Sequence, residues 1–133
     1  MSQENVDVIG EMYEHWARGE FPPDFIDPDV VFSRIGAQTP DMEGEFRGLE
    51  AYSRATAEYV RPFADLRIEA EEIIDLDGDR VLVLSRHTAR GKSSGVPIDH
   101  ELGDLFALRA GKVVRHDSYW DRAEAMKAAG LSD

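Results

Sequence analysis

The amino-acid sequence predicts an α+β fold: a strongly curved, mostly antiparallel or mixed β-sheet with N-terminal helices packed on its concave face, forming a cone with an internal pocket. Three observations predict it. Apolar residues recur every three or four positions in two early segments, as in amphipathic helices. From Asp65 onward apolar and polar residues alternate, as in strands. The last strand pair carries ionisable residues on its apolar face, which indicates a pocket.

Two helices are predicted in the first half of the chain. The first runs from Val6 to Ala17, with Ser2 as a plausible cap and Gly19 as the stop. A strand from about Val30 to Arg34 follows it. The second helix begins near Gly48 and must end at Pro62, because proline cannot continue a helix. Both helices carry aromatic side chains that we expect to close one side of the pocket.

The second half of the chain is predicted to be mainly strands. Asp77-Gly78 is its strongest hairpin signal and joins a strand that starts near Asp65 to one from Arg80 to Arg90. Ile73-Ile74 breaks the alternation, as a β-bulge would. A third helix opens after Asp121, and we expect it on the same face of the sheet as the other two.

The stretch from Val96 to Asp121 is the most informative about function, because it is predicted to form a hairpin with ionisable residues among apolar ones. We expect a three-residue loop at Arg109-Ala110-Gly111, since a two-residue turn would also need positive φ at Ala110. This register places four pairs of residues opposite one another: Asp104 and His116, Phe106 and Val114, Leu102 and Ser118, His100 and Trp120.

Composition limits the classes of partner. The 133 residues are expected to form a single domain over positions 1–133. With 27 acidic against 15 basic side chains and a net charge of -12, the chain should repel nucleic acid and anionic membranes, so a neutral or cationic small molecule is the easier partner. The absence of cysteine and of a leader-like start predicts a cytoplasmic protein. No cofactor motif is visible, and the spacing of the four histidines predicts no metal site.

Several local sequences resemble those of the nuclear transport factor two-like superfamily and, within it, the SnoaL-like proteins. They are Arg18-Gly19-Glu20, Asp27-Pro28-Asp29-Val30, Phe46-Arg47-Gly48, Asp104-Leu105-Phe106 with Gly111-Lys112-Val113-Val114, and Tyr119-Trp120-Asp121-Arg122-Ala123-Glu124. The resemblance covers nearly the whole chain and implies a small bacterial cone protein. It implies little about function, because the fold hosts polyketide cyclases, ketosteroid isomerases, epoxide hydrolases, dehydratases and proteins with no known activity.

The resemblance also implies roles for individual residues. Asp104 looks like the acid/base residue of SnoaL-like cyclases, and His116 looks like the histidine that follows the hairpin in that family. Ketosteroid isomerases carry their base near the end of the first strand, where this chain has Ser33-Arg34, which argues against simple isomerase chemistry. Their oxyanion donor resembles Asp104, and their aromatic pair resembles Tyr119-Trp120.

The residues themselves point to acid/base chemistry at one pair. Asp104 on an apolar face must stay protonated or pair with His116, and in either case its ionisation is perturbed. Such a pair could remove a proton α to a carbonyl, although a buried ion pair that only sets the sheet register has the same pattern. The residues expected to bind the substrate are Tyr13, Trp16, Arg34, Tyr59, His100, Phe106, Ser118 and Trp120.

The sequence therefore predicts a protein that binds a hydrophobic, carbonyl-bearing small molecule. The favoured activity is that of a cofactor-independent cyclase or isomerase, with a hydrolase or dehydratase less favoured. The alternative is a non-catalytic ligand-binding or dimerisation module of the same fold. The sheet face turned away from the helices is expected to carry Leu105, Ala107, Val113 and Tyr119, and covering this partly apolar face predicts a homodimer.

Overall fold

The computed structural model describes residues 3–36 and 44–131, and the predicted α+β cone is confirmed. Three α-helices, one short 3-10 turn and six strands follow one another. They are α1 (Gln3–Ala17), the turn Pro23–Phe25, β1 (Ile26–Ile35), β2 (Gly44–Arg47), α2 (Leu49–Val60), β3 (Phe63–Leu76), β4 (Arg80–Gly91), β5 (Pro97–Arg109), β6 (Lys112–Tyr119) and α3 (Arg122–Ala128). The predicted cap Ser2 lies outside the described residues.

The six strands form one mixed sheet in the order β2-β1-β6-β5-β4-β3. β1 and β6 pair in parallel, while the other neighbours are antiparallel. The parallel pair places β1, the first strand, beside β6, the last strand, so that β1 and the β5/β6 hairpin can line one cavity. The strand pair β3/β4 forms at the predicted Asp77-Gly78 turn. The bulge predicted at Ile73-Ile74 lies earlier in β3: the register shifts between Ala70 and Glu72, which leaves Glu71 as an extra residue, and also between Ala64 and Arg67.

The main core lies between the sheet and the first two helices. Its fully buried members include Ile9 and Met12 of α1, Tyr52 of α2, and Val83 and Phe106 of the sheet. Burying a side chain of this size contributes roughly 1.5 to 3 kcal/mol. The apolar stripes of α1 and α2 therefore hold both helices on the concave face, as the sequence predicted.

The third helix lies on the opposite face of the sheet, so the prediction that it joins the other two is wrong. Ala125 of α3 and Ala129, which caps its C-terminal end, pack against Leu82 and Leu105. Alternation along β4 and β5 turns these leucines away from the main core. Gly103 allows this close approach, since a Cβ there would lie 2.3 Å from the Cβ of Ala125. The apolar outer face is thus partly covered by the chain itself.

This placement also corrects the basis of the predicted dimer. Leu105 is covered by α3, and Val113 belongs to the main core on the other face. Ala107 and Tyr119 are partly buried, and Tyr119 packs against the α3 cluster.

The predicted register of the β5/β6 hairpin is wrong. Ala110 and Gly111 form a two-residue turn with φ values of 53° and 77°, so Ala110 does adopt the left-handed conformation that we expected it to avoid. Val114 is then an extra residue in β6, because the register shifts between Ala107 and Leu108. The pairs that result are Asp104 with Ser118, Phe106 with His116, Ala107 with Arg115 and Gly103 with Tyr119. The bulge restores the alternation that the tight turn would have reversed, so Asp104 and His116 still share the concave face as diagonal neighbours.

Candidate active site

A cavity of about 80 Å³ lies between the two N-terminal helices and the concave face of the sheet. Six of its lining residues are aromatic: Tyr13, Trp16, Phe32, Tyr52, Tyr59 and Trp120. The polar lining residues are Arg34, Thr56, His87, Asp104, His116 and Ser118. An apolar wall with a few converging polar groups is the usual composition of a small-molecule site.

Asp104 is the buried anchor of the polar groups, and its residue is only 4% exposed. Its Oδ1 lies 2.8 Å from Nε2 of His116. Its Oδ2 accepts hydrogen bonds from the hydroxyls of Ser85, at 2.6 Å, and Tyr13, at 3.0 Å. Both oxygens are therefore occupied by groups of the protein.

These contacts keep Asp104 ionised. Burial by itself raises the pKa of this carboxyl, but the hydrogen bonds and charge of His116, the Ser85 hydroxyl and the charge of His87 together lower it to about 2. Because an ionised carboxylate can only accept, Nε2 of His116 must carry a proton in their shared hydrogen bond. Asp104 thereby fixes which nitrogen of His116 is free to exchange a proton.

That nitrogen, Nδ1 of His116, lies 2.6 Å from the hydroxyl of Tyr52. Burial, with the charge of Asp104, raises the pKa of Tyr52 well above its ordinary value, so the phenol keeps its proton near neutral pH. The Tyr52 hydroxyl donates to Nδ1 when the imidazole is neutral and accepts from it when the imidazole is protonated. The three residues form a chain that can hold or release one proton beside the cavity.

Aromatic rings hold the imidazole in place. Phe106 stacks on His116 with the ring centres 4.2 Å apart, and Phe32 and Trp16 approach the same ring at 4.9 and 6.1 Å. Phe106 lies behind His116 and is not among the residues that line the cavity. The imidazole can therefore turn little, which preserves its two hydrogen bonds.

A second polar pair lines the cavity. The hydroxyl of Tyr59 lies 2.7 Å from Nδ1 of His87. Burial, partly offset by Asp104 and reinforced by the other histidines, lowers the pKa of His87 to about 4, so its imidazole is neutral at pH 7. Burial raises the pKa of Tyr59 to about 12. This pair is polar but uncharged, which distinguishes it from the Asp104 chain.

Arg34 supplies a cation on the cavity wall. One of its N–H groups donates to the carbonyl of Ala55 at 2.7 Å, and its guanidinium carbon lies 5.3 to 5.6 Å from the ring centres of Phe32, Phe46 and Tyr59. Burial lowers the pKa of Arg34, although an arginine stays charged at neutral pH. Within residues 3–36 and 44–131, no carboxylate forms an ion pair with it.

Comparison with known protein families gives one match, the SnoaL-like domain, over residues 9–116. The chain belongs to the SnoaL-like family. The match includes Asp104, His116, all of α2 and the part of α1 from Ile9 onward. No curated protein matches this SnoaL-like chain.

Solved structures share the fold of this SnoaL-like chain at low sequence identity. A protein of unknown function from Burkholderia pseudomallei, described as NTF2-like, is 21% identical with a TM-score of 0.79, and the alignment covers 97% of this chain and 98% of that one. A candidate SnoaL-like polyketide cyclase from Jannaschia sp. CCS1 is 19% identical with a TM-score of 0.76, covering 100% and 98%. TerC, crystallised with polyporic acid, is 19% identical with a TM-score of 0.77, covering 96% and 98%. These similarities show the fold alone.

The structure brings most of the sequence-predicted site residues of the SnoaL-like chain to one cavity. Tyr13, Trp16, Arg34, Tyr59, Asp104, His116, Ser118 and Trp120 all line it. His100 does not, because its ring stacks on Trp120 at 3.7 Å and its Nε2 lies 2.6 Å from the Trp120 carbonyl oxygen.

Sequence reasoning missed four polar residues of the site: Tyr52, Thr56, Ser85 and His87. The alternation along β4 places Ser85 and His87 on the face of Val81 and Val83, and this signal could have identified both. Aromatic side chains of the second helix were expected to face the pocket, but nothing in the sequence indicates that the Tyr52 hydroxyl reaches His116, 64 positions away.

One buried donor at the cavity wall has no acceptor. Nε1 of Trp16 is enclosed and makes no hydrogen bond with any residue that the structure describes. An unmet buried donor costs roughly 1 to 3 kcal/mol.

Two searches of the described residues bear on other classes of function. No helix there is long and apolar enough to cross a membrane. No group of three or more His, Asp or Glu side chains in the same residues is arranged to hold a metal ion.

Proposed function

We propose that this SnoaL-like protein binds a small hydrophobic carbonyl compound and moves a proton on it without a cofactor, as an isomerase or cyclase. The observation that supports this is the buried chain from Asp104 through His116 to Tyr52, which ends at a phenol on the cavity wall. A histidine held by a carboxylate on one nitrogen is a common arrangement for general acid/base catalysis.

The geometry supports different roles for the three residues. Both oxygens of Asp104 already accept hydrogen bonds, so we assign it a positioning role in place of the direct acid/base role expected from the sequence. His116 is the group that accepts the proton and returns it, through Nδ1, because its Nε2 is bonded to Asp104. The Tyr52 hydroxyl, 2.6 Å from Nδ1, is the group that can turn from His116 to a ligand oxygen.

A balanced step follows from these roles. The Tyr52 O–H donates to the carbonyl oxygen of the ligand, which frees Nδ1 of His116 to accept a proton from the α-carbon. The C–H bond breaks, an N–H bond forms, and the electron pair moves into an enolate whose oxygen the Tyr52 hydroxyl stabilises. Returning the proton to another carbon completes an isomerisation, whereas attack of the enolate carbon on a second carbonyl in the same molecule completes a cyclisation.

Solvent exchange tests this step without knowledge of the natural substrate. Acetophenone in D₂O exchanges its methyl protons when a base removes them, and the loss of the methyl signal is measured by proton NMR. We expect the protein to accelerate this exchange over buffer, and His116→Gln to reduce the acceleration by about 100-fold or more. His15→Gln, on the outer side of α1 beside Glu20, is the matched control and should keep the acceleration. Equal exchange by wild type and a folded His116→Gln variant would contradict the proposal.

The competing candidate is a non-catalytic ligand-binding module. It is favoured by the fact that both Asp104 oxygens and both His116 nitrogens are already bonded inside the protein. In that case acetophenone would bind saturably, as seen by chemical-shift changes, while its exchange stayed at the buffer rate.

We also propose that the chain is a single domain over residues 1–133, forms a homodimer and works in the cytoplasm. The support for a dimer is the part of the outer sheet face, around Ala107, that is not fully buried by α3. Sedimentation equilibrium should give twice the chain mass, and a monomer would contradict the proposed dimer.

The lack of cysteine is compatible with a reducing compartment, which cell fractionation would test.

A further inference from the structure

Arg34 has donors that the protein does not use. A guanidinium has five N–H donors, and in the described part of the chain only one hydrogen bond, to the carbonyl of Ala55, engages Arg34. Other arginines of this chain pair with carboxylates on the surface, such as Arg86 with Asp99 and Arg122 with Glu71. Arg34 instead lies on an apolar cavity wall between aromatic rings.

A cation held in this position is costly unless something compensates it. Partial burial disfavours its charge, and the faces of Phe32, Phe46 and Tyr59 offset only part of this cost. A planar carboxylate matches the fork of a guanidinium with two parallel hydrogen bonds. We infer, building on the proposed function, that the ligand is a small apolar carboxylate whose carboxylate group binds Arg34 and whose body extends towards His116.

The spacing of the two groups fits one such molecule. The guanidinium carbon of Arg34 lies 5.3 Å from the ring centre of Phe32, and that ring centre lies 4.9 Å from the ring centre of His116, so the two groups are at most 10.2 Å apart. Arg34 precedes the exposed Ile35 at the rim, whereas His116 is 5% exposed at the inner end. A carboxylate held at the rim would therefore present its chain carbons to the proton-moving residues.

The cavity also limits the size of the ligand. Its volume of about 80 Å³ is smaller than the roughly 150 Å³ of an engineered cavity that admits benzene. The enclosed part of the cavity thus holds less than a whole aromatic ring, so a one-ring ligand must place its charged end and part of its body in the mouth. A carbonyl oxygen on that body would also offer an acceptor near the unpaired Nε1 of Trp16.

The local charges favour an anion despite the net charge of -12, which led us to expect a neutral or cationic ligand. Asp104, the carboxylate on the cavity wall, already shares its charge with three hydrogen-bond donors. Glu58, whose charge acts on Arg34, is exposed to solvent. Solvent screens an exposed charge more than a partly buried one, so Arg34 dominates the cavity mouth.

The test compares trans-cinnamate with trans-cinnamamide, which have the same shape and differ in charge. Binding is followed by the indole N–H signals of uniformly ¹⁵N-labelled protein, in which Trp16 and Trp120 report on the cavity. We expect cinnamate to bind at least about tenfold more tightly than cinnamamide. Arg34→Gln should remove this preference and leave the weaker cinnamamide affinity. Arg47→Gln, an exposed arginine of β2 that does not line the cavity, is the matched control and should keep the preference.

Three results would overturn the inference: equal affinity for the two probes, an unchanged preference in Arg34→Gln, or no saturable binding of cinnamate at millimolar concentration. Retained backbone spectra show whether Arg34→Gln is folded, and Arg34→Lys, which keeps the charge but loses the fork, should retain part of the preference. Acetophenone has no carboxylate, so its exchange reports on the proposed proton transfer separately from this binding test.

Discussion

Protonation of His87 should control how the protein responds to mild acid. Its pKa is about 4 in the folded protein, against 6.5 as the ordinary value for histidine, because burial disfavours the charged ring. Between these two values the unfolded chain binds the proton and the folded protein does not. The contribution of the buried, neutral His87 to the free energy of unfolding is therefore complete above pH 6.5 and is lost as the pH falls towards 4. A shift of this size corresponds to about 3 kcal/mol in the free energy of unfolding.

The variant His87→Gln removes the titrating group and keeps a side chain able to hydrogen-bond with Tyr59. Urea unfolding at pH 7, 5.5 and 4 gives the free energy of unfolding for both proteins. The wild type should lose about 3 kcal/mol more than the variant across this interval. Comparing the two proteins cancels the titration of the other acids and histidines. Parallel losses in both proteins would contradict the burial of His87 in its neutral form.

Three further predictions concern packing and the Asp104 anchor. Gly103→Ala should destabilise the fold by about 1 to 3 kcal/mol in urea unfolding, because the new Cβ would meet Ala125 at 2.3 Å. Its control is Gly10→Ala, whose Cβ would lie 4.0 Å from its nearest neighbour and which should stabilise helix α1 by up to about 1 kcal/mol. Ser85→Ala removes a hydroxyl 2.6 Å from the Asp104 carboxylate and should cost about 1 to 3 kcal/mol, and an unchanged urea midpoint would contradict that contact. The pKa of Asp104 is lowered to about 2, so the stability that its ionised carboxylate contributes is present above pH 4 and lost as the pH falls to 2. The wild type should therefore lose about 2 kcal/mol more than Asp104→Asn in that interval. Equal losses would argue against an ionised Asp104.

The alternation of residues predicted the site better than the register did. Asp104 lies opposite an even-numbered residue of β6 in both the predicted and the observed register, so His116 falls on the same face in either case. The sequence therefore located the pair despite the wrong turn. The extra residue Val114 was not predicted, because a bulge depends on how β6 fits between β5 and β1. The strain at Ala110 is tolerated for the same reason: the packing of the whole hairpin outweighs a local conformational preference.

Contacts between distant segments account for the rest of what the sequence did not show. The bond between Tyr52 and His116 depends on how α2 docks on the sheet, and no local pattern encodes that. Similarly, the place of α3 on the outer face depends on distant contacts, among them the close approach of Ala125 that Gly103 allows. The capping pattern at Asp121 predicted the start of this helix correctly but carried no information on the face it would cover.

A crystal structure of the protein soaked with acetophenone would show whether Tyr52 and His116 can act together on a ketone. We expect the ketone in the cavity, with its oxygen within hydrogen-bond distance of the Tyr52 hydroxyl and its methyl carbon facing Nδ1 of His116. A cavity closed around Trp16 and Trp120, with the bond between Tyr52 and His116 intact and the ketone absent, would contradict it.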